Sequence, residues 1–288
     1  MQQSLVDLAS SLSSISEKKY NNPYSEFVWP DNISEESWLF SPGLISIYGT
    51  DLYQSLDIKE KKKLAFWEGI NFFSLNIHGE KSLLKGLTDR LYSRWPGEVS
   101  DYLHHFVDEE NKHMSVFGHF CHNYAGKVYP SKLVALPKNH QEGEEDFLFF
   151  IRVVIFEHIV DYFNVTIAKD QSVDPFVRKI HKYHHNDEGR HLAFGRKITK
   201  QIFDQYKPKW STETLVDLRQ YIENYLQSCW REYYNPSVYK DALPMADSYS
   251  LYEQAWENSY SQALRKKASQ ACIQFLLENG ILDKEPKL

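Results

Sequence analysis

The chain has 288 residues, 42% of them hydrophobic and 15% aromatic, and this length can bury a large core without disulfides or structural metals. Its 33 basic and 39 acidic side chains leave a net charge of -6, which argues against a protein that binds nucleic acid through phosphate contacts. No apolar run approaches the ~18 residues of a membrane helix, and the residues after Met1 lack the pattern of a signal peptide. Three widely spaced cysteines, without a CxxC pair, indicate reduced thiols. We therefore expect a cytoplasmic protein with neither nucleic acid nor a membrane as partner.

Apolar residues at helical spacing occupy most of the chain, and the 12 Gly and 11 Pro are too few for an all-β fold. The first 55 residues predict one short amphipathic helix and then an irregular aromatic segment. Four long helices are predicted next, at about 57–92, 99–125, 144–168 and 175–206.

Proline and glycine mark the breaks between these helices. Pro96 lies in the first break, and Pro137 lies in a longer connection between the second and third helices. Before the fourth helix, Ser172 or Asp174 is the expected N-cap, and Pro175 suits the first helical position.

Two helical hairpins joined by a longer crossover indicate an all-α, ferritin-like four-helix bundle. Further helices are predicted at about 212–231 and 248–279, so the bundle has extra N- and C-terminal helices. No linker or shift in composition divides the chain. We expect one domain over residues 1–288, with the core bundle at about 57–206.

Two Glu-x-x-His motifs are the first sign of a metal site. Glu110 precedes His113 by three residues, and Glu188 precedes His191 by the same interval. Residues three apart share one face of a helix, so each pair can reach a single ion. Ferritin-like di-iron and di-manganese proteins use two such pairs and one further Glu from each of two other helices.

The symmetry of each hairpin locates the two further glutamates, because residues equally far from a turn lie at the same height. Glu80 and Glu110 are 30 residues apart about the first break, and Glu157 and Glu188 are 31 apart about the second. The two hairpins therefore repeat one another. Glu68 is a competing candidate, but it lies about three helical turns away from the level of Glu110.

His184 adds a third imidazole, four residues before Glu188 and on the same helical stripe. Carboxylates with imidazoles suit iron or manganese, and two metals bridged by carboxylates can activate O₂. No catalytic residue is expected beyond the metal ligands. The predicted ligands are Glu80, Glu110, His113, Glu157, His184, Glu188 and His191.

An acidic residue precedes the Glu of each motif: Glu109 in the first and Asp187 in the second. A histidine that binds a metal usually donates its other N–H to a carboxylate, which fixes its tautomer and orientation. We expect Asp187 to serve His113, and Glu109 to serve His191, each across the bundle.

This set of motifs resembles the di-iron N-oxygenases of the p-aminobenzoate N-oxygenase (AurF) type, and His184 is the ligand that the general ferritin-like pattern lacks. Residues 46–50 are also similar to that family's lead-in, so the resemblance covers about positions 45–200. It implies a bridged pair of irons that uses O₂ to oxidise a small-molecule amine to a hydroxylamine, nitroso or nitro product, in specialised metabolism. It also implies an external electron donor, protein or small reductant, and often a homodimer.

Other functions stay open at this point. A di-iron oxidase or hydroxylase acting on C–H bonds would use the same ligands with a different pocket. A ferritin-like iron-binding protein is a further alternative, against which His184 counts.

Some residues near the predicted ligands have a second interpretation. His181 lies one turn before His184 and is the only plausible substitute ligand or proton relay, although a structural role is the simpler one. Arg152 or Arg190 could hold a carboxylate of the substrate, although arginines at such spacings more often pair with acidic neighbours. Tyr183 or Tyr162 could have a radical role, but with 19 tyrosines in the chain a tyrosine near the site is expected by chance.

Overall fold

Helices supply the regular structure throughout the part of the chain that the computed structural model describes, residues 4–34, 36–131 and 140–288. No strand forms there; Trp38 and Val173 make an isolated bridge. The prediction of an all-α fold is therefore confirmed. Pro137, expected in the connection between the hairpins, lies outside the described residues. The assignment of a single domain stays a prediction.

Three helices precede the bundle. Helix α1 (Leu5–Lys18) begins at Ser4, whose side chain accepts a hydrogen bond from the Asp7 backbone N–H. Helices α2 (Pro23–Glu26) and α3 (Asp51–Ser55) follow within an irregular segment. The prediction of one helix here was incomplete, because α2 and α3 are too short to show helical periodicity.

Two hairpins form the centre of the molecule. Helices α4 (Ile58–Thr88) and α5 (Gly97–Phe120) make the first, and α6 (Glu144–Lys169) and α7 (Pro175–Tyr206) make the second. Each pair packs along its length, and α1 covers α5 and α7. The four predicted long helices are therefore present, with short differences at their ends.

Two of these ends differ from prediction for visible backbone reasons. Helix α4 stops at Thr88 rather than near Tyr92, because the Thr88 hydroxyl bonds to carbonyls of its own last turn and Tyr92 has a left-handed φ of 52°. After α5, residues Cys121–Ala125 form a π-helical turn that ends at Gly126, where φ is 66°.

Four C-terminal helices follow the bundle: α8 (Thr212–Tyr233), α9 (Pro236–Ala242), α10 (Ser248–Glu257) and α11 (Ser259–Glu278). Helix α10 packs on α9 and α11. Helices α8 and α11 lie on α6, and α9 lies on α4. The prediction of one helix at 248–279 was wrong, because the chain breaks at Asn258. The Asn258 side chain accepts from the Tyr260 backbone N–H and donates to the Tyr48 carbonyl, contacts that favour a helix start at this residue. None of the described helices has the length and apolar composition of a membrane-spanning segment.

Candidate metal centre

The seven side chains predicted as metal ligands lie together between the four central helices. Each is at most 1% exposed, although charged residues are rarely buried so completely without a partner. Helix α4 contributes one of them, α5 two, α6 one and α7 three. Spacings of three and four residues bring the three α7 side chains onto one face, because a helix turns about 100° per residue.

The cluster divides into two groups, in each of which the potential ligand atoms lie within 4.8 Å of one another. One group has a single carboxylate and two imidazoles, and the other has three carboxylates and one imidazole. The groups cross the hairpins, since each takes ligands from both. The first consists of Glu80, His113 and His184, and the second of Glu110, Glu157, Glu188 and His191.

Every member of the cluster presents at least one buried nitrogen or oxygen that makes no hydrogen bond within the described part of the chain. For Glu80, Glu110 and Glu188 this holds for both carboxylate oxygens. Such atoms are costly to bury unless a cation binds them. Oxygen and imidazole nitrogen donors suit iron or manganese, so the residues present fit a pair of these metals.

The surroundings shift the pKa values of the cluster carboxylates in different directions. Burial raises the pKa of Glu80 and Glu157 well above the ordinary value, and the neighbouring carboxylates Glu110 and Glu188 raise it further. Burial acts in the same direction on Glu188, yet the imidazoles of His184 and His191 hold its pKa well below the usual range. With only the protein's own groups around them, Glu80 and Glu157 therefore favour their neutral forms, and a bound cation would stabilise the ionised forms of both.

Two of the imidazoles have carboxylate partners on their outer side. His113 Nε2 lies 3.1 Å from Asp187 Oδ2, and His191 Nε2 lies 2.8 Å from Glu109 Oε2. Burial alone would lower the pKa of His113, but Asp187 and Glu110 raise it to about 10. Because Nε2 is engaged, Nδ1 of each ring faces the cluster. These are the pairings expected from the sequence.

Arg190 joins the two carboxylate partners to each other. Its Nη2 lies 2.6 Å from Glu109 Oε1 and 2.6 Å from Asp187 Oδ1. The guanidinium thus pairs with two buried carboxylates. This geometry supports the interpretation that Arg190 pairs with acidic neighbours.

The third imidazole has a different outer partner. His184 Nδ1 lies 2.9 Å from the side-chain amide of Asn164, and the same amide lies 2.9 Å from His181 Nδ1. His181 belongs to neither ligand group, so the structure does not place it as a substitute ligand. Sequence reasoning missed Asn164, although it follows Glu157 by two helical turns on the same face of α6.

Glu68, the competing ligand candidate, lies outside the cluster. Its carboxyl accepts hydrogen bonds from the backbone N–H and the hydroxyl of Ser46, and that hydroxyl lies 2.8 Å from Tyr239 Oη. Burial raises the pKa of Glu68 to about 8, although the Ser46 hydrogen bonds act against the shift.

Aromatic rings wall the cluster. Phe106 stacks on His191 with ring centres 3.9 Å apart, and Phe117 meets His184 edge-on at 5.0 Å. Tyr183 lies edge-on to His113 at 5.6 Å, but its buried hydroxyl has no hydrogen-bond partner in the described residues. A tyrosine without a proton acceptor is poorly placed to lose its proton on oxidation, so nothing here supports a radical role.

A cavity of about 350 Å³ lies between α4, α6 and α8, and the described residues that line it include none of the seven cluster residues. Gly79 and Phe156 line it, and each immediately precedes a cluster glutamate, Glu80 and Glu157. A Cβ on Gly79 would lie 2.3 Å from Cζ of Phe156, so the ring occupies the space that this glycine leaves. Among the described residues that line it, Arg152 is the only arginine or lysine.

The bundle with its two adjacent carboxylate and imidazole groups defines the class of helical di-metal proteins. Within that class, the sequence matches the family described as P-aminobenzoate N-oxygenase AurF over residues 2–280. The chain belongs to this family of di-iron N-oxygenases, and the resemblance noted in the sequence is confirmed. Comparison with curated proteins gave no significant match.

Proposed function

We propose that the chain uses two irons and O₂ to N-oxygenate an amine of a small molecule, in specialised metabolism. The observation that carries the proposal is the pair of adjacent buried ligand groups with three imidazoles, in a chain of the AurF family. Conversion of an amine to a hydroxylamine by O₂ consumes two electrons and two protons and releases one water. An external donor, protein or small reductant, therefore belongs to the proposal. The homodimer expected from the resemblance stays a prediction.

The two groups assign a role to each ligand. Glu80, His113 and His184 would hold one iron, and the three-carboxylate group would hold the other, with Glu188 placed between them. Iron bound there would supply the capacity to activate O₂. The chain's own contribution is to fix the imidazoles by their outer partners and to keep water from the cluster by close aromatic packing.

We propose the cavity lined by Gly79 and Phe156, the residues before Glu80 and Glu157, as the substrate site. Its lining is mainly apolar and aromatic, including Leu75, Ile159 and Tyr233, which suits a ring. The Arg152 guanidinium donates through Nε to the Leu148 carbonyl, and it lowers the pKa of Tyr221 against the effect of burial, so a bound ligand would share it with these neighbours. A planar guanidinium binds a carboxylate by two parallel hydrogen bonds. An aminobenzoate would thus place its carboxylate at Arg152 and its amine toward the cluster.

The test is a mass-spectrometric screen of amines with the reduced, iron-loaded protein and ¹⁸O₂. We expect ¹⁸O on nitrogen, with aminobenzoates converted faster than the same rings without a carboxylate. Glu157→Ala is the control, since it removes one ligand from the three-carboxylate group. Oxygen on carbon would instead indicate a hydroxylase, and many irons per chain an iron-storage protein. Far fewer than two irons per chain would contradict the di-iron assignment itself.

A further inference from the structure

The three cluster imidazoles differ in the group that holds their outer nitrogen. His113 and His191 face carboxylates, whereas His184 faces the neutral amide of Asn164. Asn164 is fully buried, and it also contacts His181, which is 1% exposed. We propose that Asn164 positions His184 as a metal ligand and that His181 sets the orientation of the Asn164 amide. This inference rests on the proposed metal centre, and not on the identity of the substrate.

The atoms of His184 determine what the amide must do. Its Nε2 faces the cluster, 2.7 Å from Glu188 Oε1 and 3.4 Å from Glu80 Oε1. A nitrogen that binds a metal has no hydrogen, so the proton of the neutral ring then lies on Nδ1. Asn164 must present its oxygen to that N–H. An amide that presented its NH₂ group would place two donors face to face.

His181 provides the complementary half of the arrangement. When the Asn164 oxygen faces His184, its NH₂ group faces His181 Nδ1, which must be an acceptor. His181 is suited to this, because burial and the nearby His184 lower its pKa to about 3 and the ring stays neutral. Its other nitrogen has no partner within the described residues and lies among Phe72 and Phe73, so only the Nδ1 side makes a directional contact.

The structure has the Asn164 amide in the opposite orientation, with Nδ2 2.9 Å from His184 Nδ1 and Oδ1 2.9 Å from His181 Nδ1. The two ends of an amide are nearly the same size, so its orientation is set by which ring nitrogens carry hydrogen. A metal on His184 Nε2 would require the amide oxygen at His184, and a half-turn of the amide provides it within the same two contacts.

A neutral partner has a consequence for the metal. A carboxylate partner raises the basicity of a ligating imidazole, whereas an amide does so less. The ion in the Glu80, His113 and His184 group therefore has one weakened donor and only one carboxylate. We expect this ion to be the more weakly bound of the two.

The test measures Fe²⁺ affinity without turnover, by anaerobic titration against a competing chelator, and records the visible spectrum of the Co²⁺-loaded protein. Asn164→Leu removes both hydrogen bonds at similar volume, and we expect the weaker site to lose about 10- to 100-fold in affinity with a changed spectrum. Asn164→Asp keeps an acceptor for His184 and makes it a carboxylate, so we expect the affinity of this site to equal or exceed that of wild type. Asn71→Leu is the matched control, because Asn71 is also buried but bonds to Glu232 and Asn235; its affinity should equal wild type.

A second pair of variants keeps the proposal testable if Asn164→Leu does not fold. An asparagine at position 181 can present an acceptor near the place of Nδ1, whereas a leucine cannot. We expect His181→Leu to weaken the same site about tenfold and His181→Asn to retain its affinity. Equal affinities in His181→Leu and His181→Asn, or an unchanged titration and spectrum in Asn164→Leu, would overturn the proposal. Wild-type protein that binds two irons but oxidises no amine would contradict the proposed function alone.

Discussion

Glu109 Oε2 lies 2.8 Å from His191 Nε2, and this contact joins α5 to α7 behind the ligand cluster. The reciprocal contact runs from His113 on α5 to Asp187 on α7. Each Glu-x-x-His motif thus supplies the outer partner for the histidine of the other. This exchange explains why an acidic residue precedes both motif glutamates, and it ties the two hairpins together at the level of the site.

Replacing either outer carboxylate by an amide of the same size is expected to weaken metal binding. In Asp187→Asn a neutral amide replaces the carboxylate that faces His113 Nε2. We expect Fe²⁺ affinity to fall about 10- to 100-fold. Glu109→Gln should weaken binding through His191 in the same way. Chelator competition measures both effects. Full metal occupancy and activity in Asp187→Asn would contradict the assigned role.

Arg190 is expected to stabilise the fold through its two buried acids. Arg190→Leu leaves Glu109 and Asp187 as like charges without their shared cation, and removal of one member of a buried ion pair costs about 3–5 kcal/mol. Arg190→Lys keeps the charge but not the planar geometry, so we expect a smaller loss. Denaturant unfolding of the metal-free protein measures the free energy. A loss below about 1 kcal/mol in Arg190→Leu would show that the pair is not a stabilising contact.

Arg152→Leu separates substrate recognition from chemistry at the metal. For aminobenzoates we expect KM to rise at least about tenfold with little change in kcat, because a charge-assisted bidentate contact is lost in both the ground state and the transition state. Aniline, which has no carboxylate, is the matched substrate and should be converted equally by both proteins. Equal increases in KM for the two substrates would indicate damage to the cavity rather than loss of a carboxylate site.

Glu68 makes stability depend on pH at a position remote from the ligands. Its pKa is raised from 4.5 to about 8 in the fold, chiefly by burial, so its protonated form is favoured there. The contribution of protonated Glu68 to the stability of the fold is fully present below the pKa of Glu68 in the unfolded chain. It is lost as pH rises through the folded value of about 8. Tyr129, Tyr234 and Tyr239, which interact electrostatically with Glu68, carry no charge in this range because their own pKa values are raised.

Glu68→Gln keeps the size of the group and removes its proton. We therefore expect the free energy of unfolding of wild type to fall relative to Glu68→Gln between pH 5 and about pH 8.5. Denaturant titrations at several pH values measure this difference. Parallel pH profiles for the two proteins would show that Glu68 does not titrate in the fold.

Much of the fold and the candidate site was predictable because both depend on local helical geometry. The spacing of apolar residues located α4 to α7, and intervals of three and four residues placed His184, Glu188 and His191 on one face. Glu80 and Glu110 lie equally far from the first turn, and Glu157 and Glu188 lie equally far from the second. This symmetry predicted the two remaining carboxylates. These features need only the pitch of a helix and the antiparallel pairing of a hairpin.

What the tertiary structure alone decided concerns contacts between helices that are distant in sequence. The division of the ligands into two groups that cross the hairpins, the bridge from Arg190 and the placement of Asn164 beside His184 all depend on how the helices are rotated against one another. The cavity also depends on α8, because this helix follows the four bundle helices in the sequence and yet lines the cavity together with α4 and α6. Periodicity specifies which face of a helix is buried, but the neighbour that each buried side chain meets is set by packing across the whole core.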